Sequence, residues 1–162
     1  MEQLEQAKAA ALKFIAARVR TRQEVVQQLH KKGYSQEIIA AVIAFLQEYQ
    51  YLDDAAYCKA WIHDKMQFHP CGRQKMAFEL AKKVSDRQLI QQSLEQYFSR
   101  EEELELALAA AYKKLNGSAA VRPEQLSRFL YSKGYDGVII ARVLDRQEII
   151  QQLDQKQKDN NF

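Results

Sequence analysis

The chain has few of the residues that punctuate strands and irregular loops. Its 162 residues include only five glycines and two prolines. A sandwich or barrel needs turn chemistry every few residues, so this scarcity argues against an all-β fold. Two cysteines, Cys58 and Cys71, cannot make a disulfide framework. Apolar runs are short and broken by Lys, Gln or Arg, so none is long enough to cross a bilayer. The start, "MEQLEQAKAAALKF", carries acids and lacks the basic end and apolar centre of a secretion signal. A cytoplasmic setting with reduced thiols is the expectation.

What is present points to helices. Ala, Gln, Leu, Glu and Lys are abundant, and all have high helix propensity. The net charge of +3 and pI of about 8.8 permit an acidic partner or nucleic acid without requiring one.

Apolar spacing and capping residues divide the chain into about nine helices. The first is expected from Leu4 to Val19, with Leu12 and Ile15 on its inner face. Thr21 and Glu24 then have the spacing of a capping box, and Gly33 stands where a left-handed cap is wanted. Ser35 opens a helix striped by Ile38, Ile39, Val42, Ile43 and Leu46. Asp53 or Asp54 caps a fourth helix, expected to bury Tyr57 and Trp61. Pro70 follows it, and two further helices cover "GRQKMAFELAKK" and "SDRQLIQQSLEQYF". Glu101, Glu102 and Glu103 suit the first turn of a helix carrying Leu104, Leu108, Ala111 and Leu115. Gly117 and Ser118 are expected to end it, and Pro123 to start the next. A last helix begins near Asp136, and a polar tail over 154–162 is expected to fray.

A phrase recurs within this pattern. "KKGYSQEIIAAVI" at residues 31–43 returns as "SKGYDGVIIARVL" at residues 132–144. A weaker middle copy, "LAKKVSDRQLIQQSL", carries Val84 in place of the glycine. The period of about 50 residues implies an all-α, elongated modular array of three tandem three-helix repeats. Their expected bounds are 1–50, 51–98 and 99–153.

Candidate chemistry is sparse. No phosphate-binding loop, dinucleotide fingerprint or nucleophile elbow occurs. Neighbours on a helix diverge by about 100°, so Asp53 and Asp54 suit a helix start better than a catalytic pair. Cys58, His63, His69 and Cys71 lack paired zinc-ligand spacing. No catalytic residue, metal or cofactor is therefore expected.

Basic residues gather around the helix joints. Arg18, Arg20 and Arg22 precede the second helix, and Lys31 and Lys32 close it. Arg73, Lys75, Lys82 and Lys83 follow in the second repeat, and Arg122, Arg128 and Lys133 in the third. A lysine ending a helix complements its dipole, which accounts for Lys32, Lys83 and Lys133 without any ligand. The alternative is a discontinuous basic strip that follows a polyanion or an acidic protein surface. The helix after the first joint exposes Gln36, Glu37, Gln47 and Glu48, a face unsuited to reading a DNA groove.

Three segments in order resemble the RecX family of regulatory proteins: "ARVRTRQEVVQQLHKKGY", "YQYLDDAAYCKAWI" and "GRQKMAFELAKKVSD". The resemblance covers about residues 10 to 98. Gln50, Cys58, Met76 and Val84 depart from residues common in the family. The resemblance implies a helical-repeat regulator, not an enzyme and needing no cofactor. It implies binding in the groove of the RecA nucleoprotein filament, with restraint of ATPase, strand exchange and coprotease activity. It also implies contact with DNA. A long apolar heptad seam is missing, so a monomer is expected. A DNA-binding helical protein that acts without RecA is the alternative.

Overall fold

The computed structural model describes residues 1–117 and 120–161, and all regular structure among them is helical. There are ten helices: α1 (Glu2–Ala17), α2 (Arg22–Lys31), α3 (Gln36–Glu48), α4 (Asp54–Phe68), α5 (Arg73–Leu80), α6 (Arg87–Tyr97), α7 (Arg100–Gly117), α8 (Pro123–Ser132), α9 (Gly137–Leu144) and α10 (Gln147–Asp159). The expected end at Ser118 lies outside the described residues.

The chain forms two compact units. The first holds Met1–Trp61 and Leu80–Ile90; the second holds Ile62–Glu79 and the chain from Gln91 onward. The division falls within α4, α5 and α6, so the compact units are drawn differently from the sequence repeats.

In the first unit α1 packs mainly on α3. Ala7 and Ala11 form the buried face of α1, and their small side chains let the two backbones approach. Ile39, Val42, Ile43 and Leu46 answer from α3, with Val25 and Leu29 from α2. Each such aliphatic side chain contributes roughly 1.5–3 kcal/mol on burial. Two expectations are corrected here. α1 stops at Ala17, and Val19 is exposed rather than packed. On α4 the buried positions are Cys58 and Ile62, while Tyr57 and Trp61 are only half-buried.

The second unit repeats the pattern with α7 on α9. Ala107 and Ala111 face α9, whose Ile139, Ile140 and Val143 are buried with Leu126, Leu130 and Tyr135. Asp136 caps α9, as its position suggests. The last helical stretch is not continuous: the Asp145–Arg146 step separates α9 from α10. α10 runs on past 154 to Asp159, with Ile149 and Leu153 as its buried residues.

The recurring phrase is a Schellman joint. After α2, the Tyr34 N–H donates to the Leu29 carbonyl and the Gly33 N–H to that of His30, with Gly33 at φ +85°. After α8, Tyr135 and Gly134 make the same pair of bonds to Leu130 and Tyr131, with Gly134 at φ +88°. α3 ends likewise, but its left-handed residue is Gln50 at φ 58°. The middle joint dispenses with that conformation. Lys83 and Val84 both donate to the Leu80 carbonyl, and the Val84 side chain is fully buried.

Candidate functional site

The basic residues of the first unit gather at the entrance to α2. Thr21 and Glu24 make the capping box: the Glu24 N–H donates to Thr21 Oγ1, and the Thr21 N–H donates to Glu24 Oε2 at 2.9 Å. The Thr21 hydroxyl in turn donates to the Lys83 carbonyl at 2.6 Å. This brings Lys83 to Glu24 at 3.2 Å, where Arg18 also lies at 3.2 Å and Arg20 at 3.9 Å. Burial by itself would raise the Glu24 pKa, but the Thr21 N–H and the Lys83 and Arg18 charges outweigh it and hold the carboxyl below its usual range. Arg20 also stacks on the Phe14 ring, 4.0 Å from its centroid.

Three cations therefore share one carboxylate, leaving an excess of positive charge at this joint. Arg22 is exposed beside them, and its backbone N–H donates to Asp54 at 3.0 Å. Burial raises the Asp54 pKa, against the effect of the Arg22 contact. Asp53 performs the capping, accepting the Ala56 N–H at 3.0 Å. Lys31 and Lys32 are exposed at the end of α2, with no ion pair to a described residue, and Lys82 is exposed in the turn after α5.

In the second unit Arg73 has a structural task. Its side chain donates to the Phe98 carbonyl, and its Nε lies 3.7 Å from Glu103, which is fully buried. Arg100 completes the group, 2.7 Å from Glu103 and 2.9 Å from Asp136. The Arg100 hydrogen bond lowers the Asp136 pKa and raises that of Arg100. Arg73 is thus committed to holding a buried carboxylate.

Lys75 and Lys133 are brought together by two glycines. The Gly72 N–H donates to the Lys133 carbonyl at 2.8 Å, and the Gln74 N–H to the Gly134 carbonyl at 3.2 Å. A methyl group on Gly72 would lie 2.1 Å from the Gly134 carbonyl carbon, so only glycine permits this backbone contact. Lys65, Lys113 and Lys114 line one cleft with Lys75 and Lys133. Sequence spacing did not single out these three lysines; the adjacent pair at 113–114, on the last turns of α7, was the available signal. Arg122 and Arg128 are exposed at the start and along the outer side of α8.

The chain as a whole is similar to known proteins. The family model for the first three-helix domain of RecX matches residues 7–46, and that for the second matches residues 53–94. A regulatory protein RecX from Chlorobium limicola (strain DSM 245 / NBRC 103803 / 6330) is 30% identical over 145 residues, covering 87% of this chain and 89% of that protein. The chain belongs to the RecX family. RecX proteins are regulatory proteins rather than enzymes. The regulatory protein RecX of Clostridium botulinum (strain Eklund 17B / Type B) is 35% identical over 141 residues, 83% of this chain. The match spans 65% of that relative's length, so the relative extends well beyond it. The crystal structure of RecX from Lactobacillus salivarius superposes with a TM-score of 0.81 at 23% identity, covering 95% of this chain and 98% of that one, which supports the helical repeat fold. No helix among the described residues is long and apolar enough to cross a membrane.

Proposed function

We propose that this RecX-family chain binds the RecA nucleoprotein filament along its helical groove and restrains RecA's ATPase, strand-exchange and coprotease activities in recombination and DNA repair. The reading rests on family membership over both three-helix domains. The three helix sets, 1–50, 51–98 and 99–153, act as tandem binding modules of a cytoplasmic monomer. Modest contacts repeated along a filament reinforce one another through effective concentration.

The exposed cations do the gripping: Lys31, Lys32 and Arg22 in the first unit, Arg122, Arg128 and Lys133 in the second, with the half-buried Lys75 beside Lys133. Arg18, Arg20 and Lys83 contribute the excess charge left around Glu24. Contact with DNA is weak and salt-sensitive, because it consists of lysine and arginine facing phosphate.

The test is RecA ATPase on single-stranded DNA with increasing amounts of this protein. A fall in rate near stoichiometric ratios supports the proposal. An unchanged rate at low salt contradicts it. Affinity for DNA that falls steeply with salt and ignores RecA would instead identify a DNA-binding protein acting alone.

A further inference from the structure

The lysine cleft of the second unit has the properties of a binding site for a compact polyanion. Its volume is about 740 Å³, within the roughly 300–1,000 Å³ typical of small-ligand sites. Lys65, Lys75, Lys113, Lys114 and Lys133 line it, and no described lining residue is a carboxylate. Lys65 is paired with Glu79. The other four have no ion-pair partner among the described residues.

The ends of α7 and α8 border the cleft. Each helix end supplies roughly −0.5 elementary charge. Dipole compensation therefore accounts for about one of the four lysine charges, leaving an excess of about three. Cys71 and Tyr135 form buried parts of the wall, and burial raises the pKa of each, so both stay neutral near pH 7. They supply no counter-charge. Two ammonium groups lie over the Phe129 ring, Lys114 at 5.4 Å and Lys133 at 5.7 Å from its centroid. The Gly72–Gly134 contact fixes the backbone at Lys133 against the backbone that carries Lys75, so the two lysines rise from one rigid joint at the cleft.

We propose that this cleft binds a compact polyphosphate, either free or as the phosphate chain of a nucleotide. Four lysines facing a pocket of this size match a chain of three or four phosphate charges. A nucleic acid strand would leave most of its phosphates outside. The site requires neither RecA nor DNA, so it stands or falls independently of the function proposed above.

The experiment is calorimetric titration of the full chain, without RecA, using inorganic tripolyphosphate, ATP and a mixed-sequence single-stranded oligonucleotide at low ionic strength. Saturable one-to-one binding of tripolyphosphate is expected, weakened by about tenfold or more in Lys113→Ala/Lys133→Ala. Lys13→Ala/Lys158→Ala, which removes the same charge elsewhere, should leave affinity within about twofold. Equal binding of ATP identifies the phosphate chain as the recognised group, and tighter ATP binding adds a contact to the nucleoside; both support the site. Should the cleft variant fold poorly, the wild-type thermal midpoint decides: tripolyphosphate must raise it beyond sodium chloride of equal ionic strength. Absence of saturable tripolyphosphate binding, binding of the oligonucleotide alone, or equal weakening by both double variants would overturn the proposal.

Discussion

The hydroxyl of Thr21 donates a 2.6 Å hydrogen bond to the carbonyl of Lys83. One side chain thereby caps α2 and closes the middle joint, where the other two copies of the phrase use glycine. Thr21→Ala removes the cap, worth about 1 kcal/mol, and strands a carbonyl, at about 1–3 kcal/mol. Denaturant unfolding should show a loss of about 2–4 kcal/mol. Thr21→Ser should retain most of the stability, since its hydroxyl makes the same bonds.

The three glycines at joints should differ in their tolerance of alanine. At Gly33 the added carbon meets nothing within 4 Å, so the penalty is the left-handed backbone alone, about 1–2 kcal/mol. Gly134→Ala adds a collision with Lys75, whose Cβ would be 2.3 Å away. Gly72→Ala would press on the Gly134 backbone and should cost about 3 kcal/mol or more. Thermal midpoints should therefore rank Gly33→Ala above Gly134→Ala and Gly72→Ala.

Gln50 offers the reverse test. It holds a left-handed conformation, φ 58°, in a Schellman motif. Gln50→Gly should stabilise the chain by about 0.5–1 kcal/mol, because glycine adopts this conformation without strain. A lower unfolding midpoint would contradict the strain argument.

Glu103 is fully buried between Arg73 and Arg100. Glu103→Ala removes the carboxylate the two guanidinium groups share, leaving Arg100 with Asp136 and Arg73 with the Phe98 carbonyl, and should cost about 2–3 kcal/mol. Equilibrium unfolding measures it, and a loss below about 1 kcal/mol would show the pair to be peripheral.

Acid should weaken the fold in a defined way. Glu24 and Asp136 have folded-state pKa values below the usual carboxylate range. Their contribution is complete above the unfolded value near 4 and is lost as pH falls through the lowered folded values. Glu24→Gln and Asp136→Asn should each flatten the decline in unfolding midpoint below about pH 5. Asp54 has the opposite sign, since its folded pKa is raised. Its contribution is present below the unfolded value and lost as pH rises, so Asp54→Asn should help more at pH 7 than at pH 3.

Much of the fold was legible because its signals are local. Thr21 and Glu24, Ser35, Asp136, Gly33 and Gly134 each act within about one helical turn. The break between α9 and α10 has no glycine or proline to mark it. The half-burial of Trp61 depends on which face of α4 meets its neighbours, which aromatic spacing alone does not specify. The roles of the cations were the least legible. Arg73 looks like any basic surface residue until Glu103, thirty positions away, is placed beside it. The cleft depends on Gly72 meeting Gly134, a contact between distant segments.

That placement also changes the choice of charge reversals. Lys83 is tied to Glu24 and Arg73 to Glu103, so reversing either disturbs the fold. Lys31→Glu/Lys32→Glu leaves the described ion pairs intact and should reduce inhibition of RecA ATPase by about tenfold with an unchanged thermal midpoint.

The most direct measurement is an electron cryomicroscopy reconstruction of RecA filaments on single-stranded DNA, formed with saturating amounts of this protein. Continuous helical density in the filament groove, with Lys31 and Lys32 facing it, is the predicted result. A bare filament under those conditions would contradict the account.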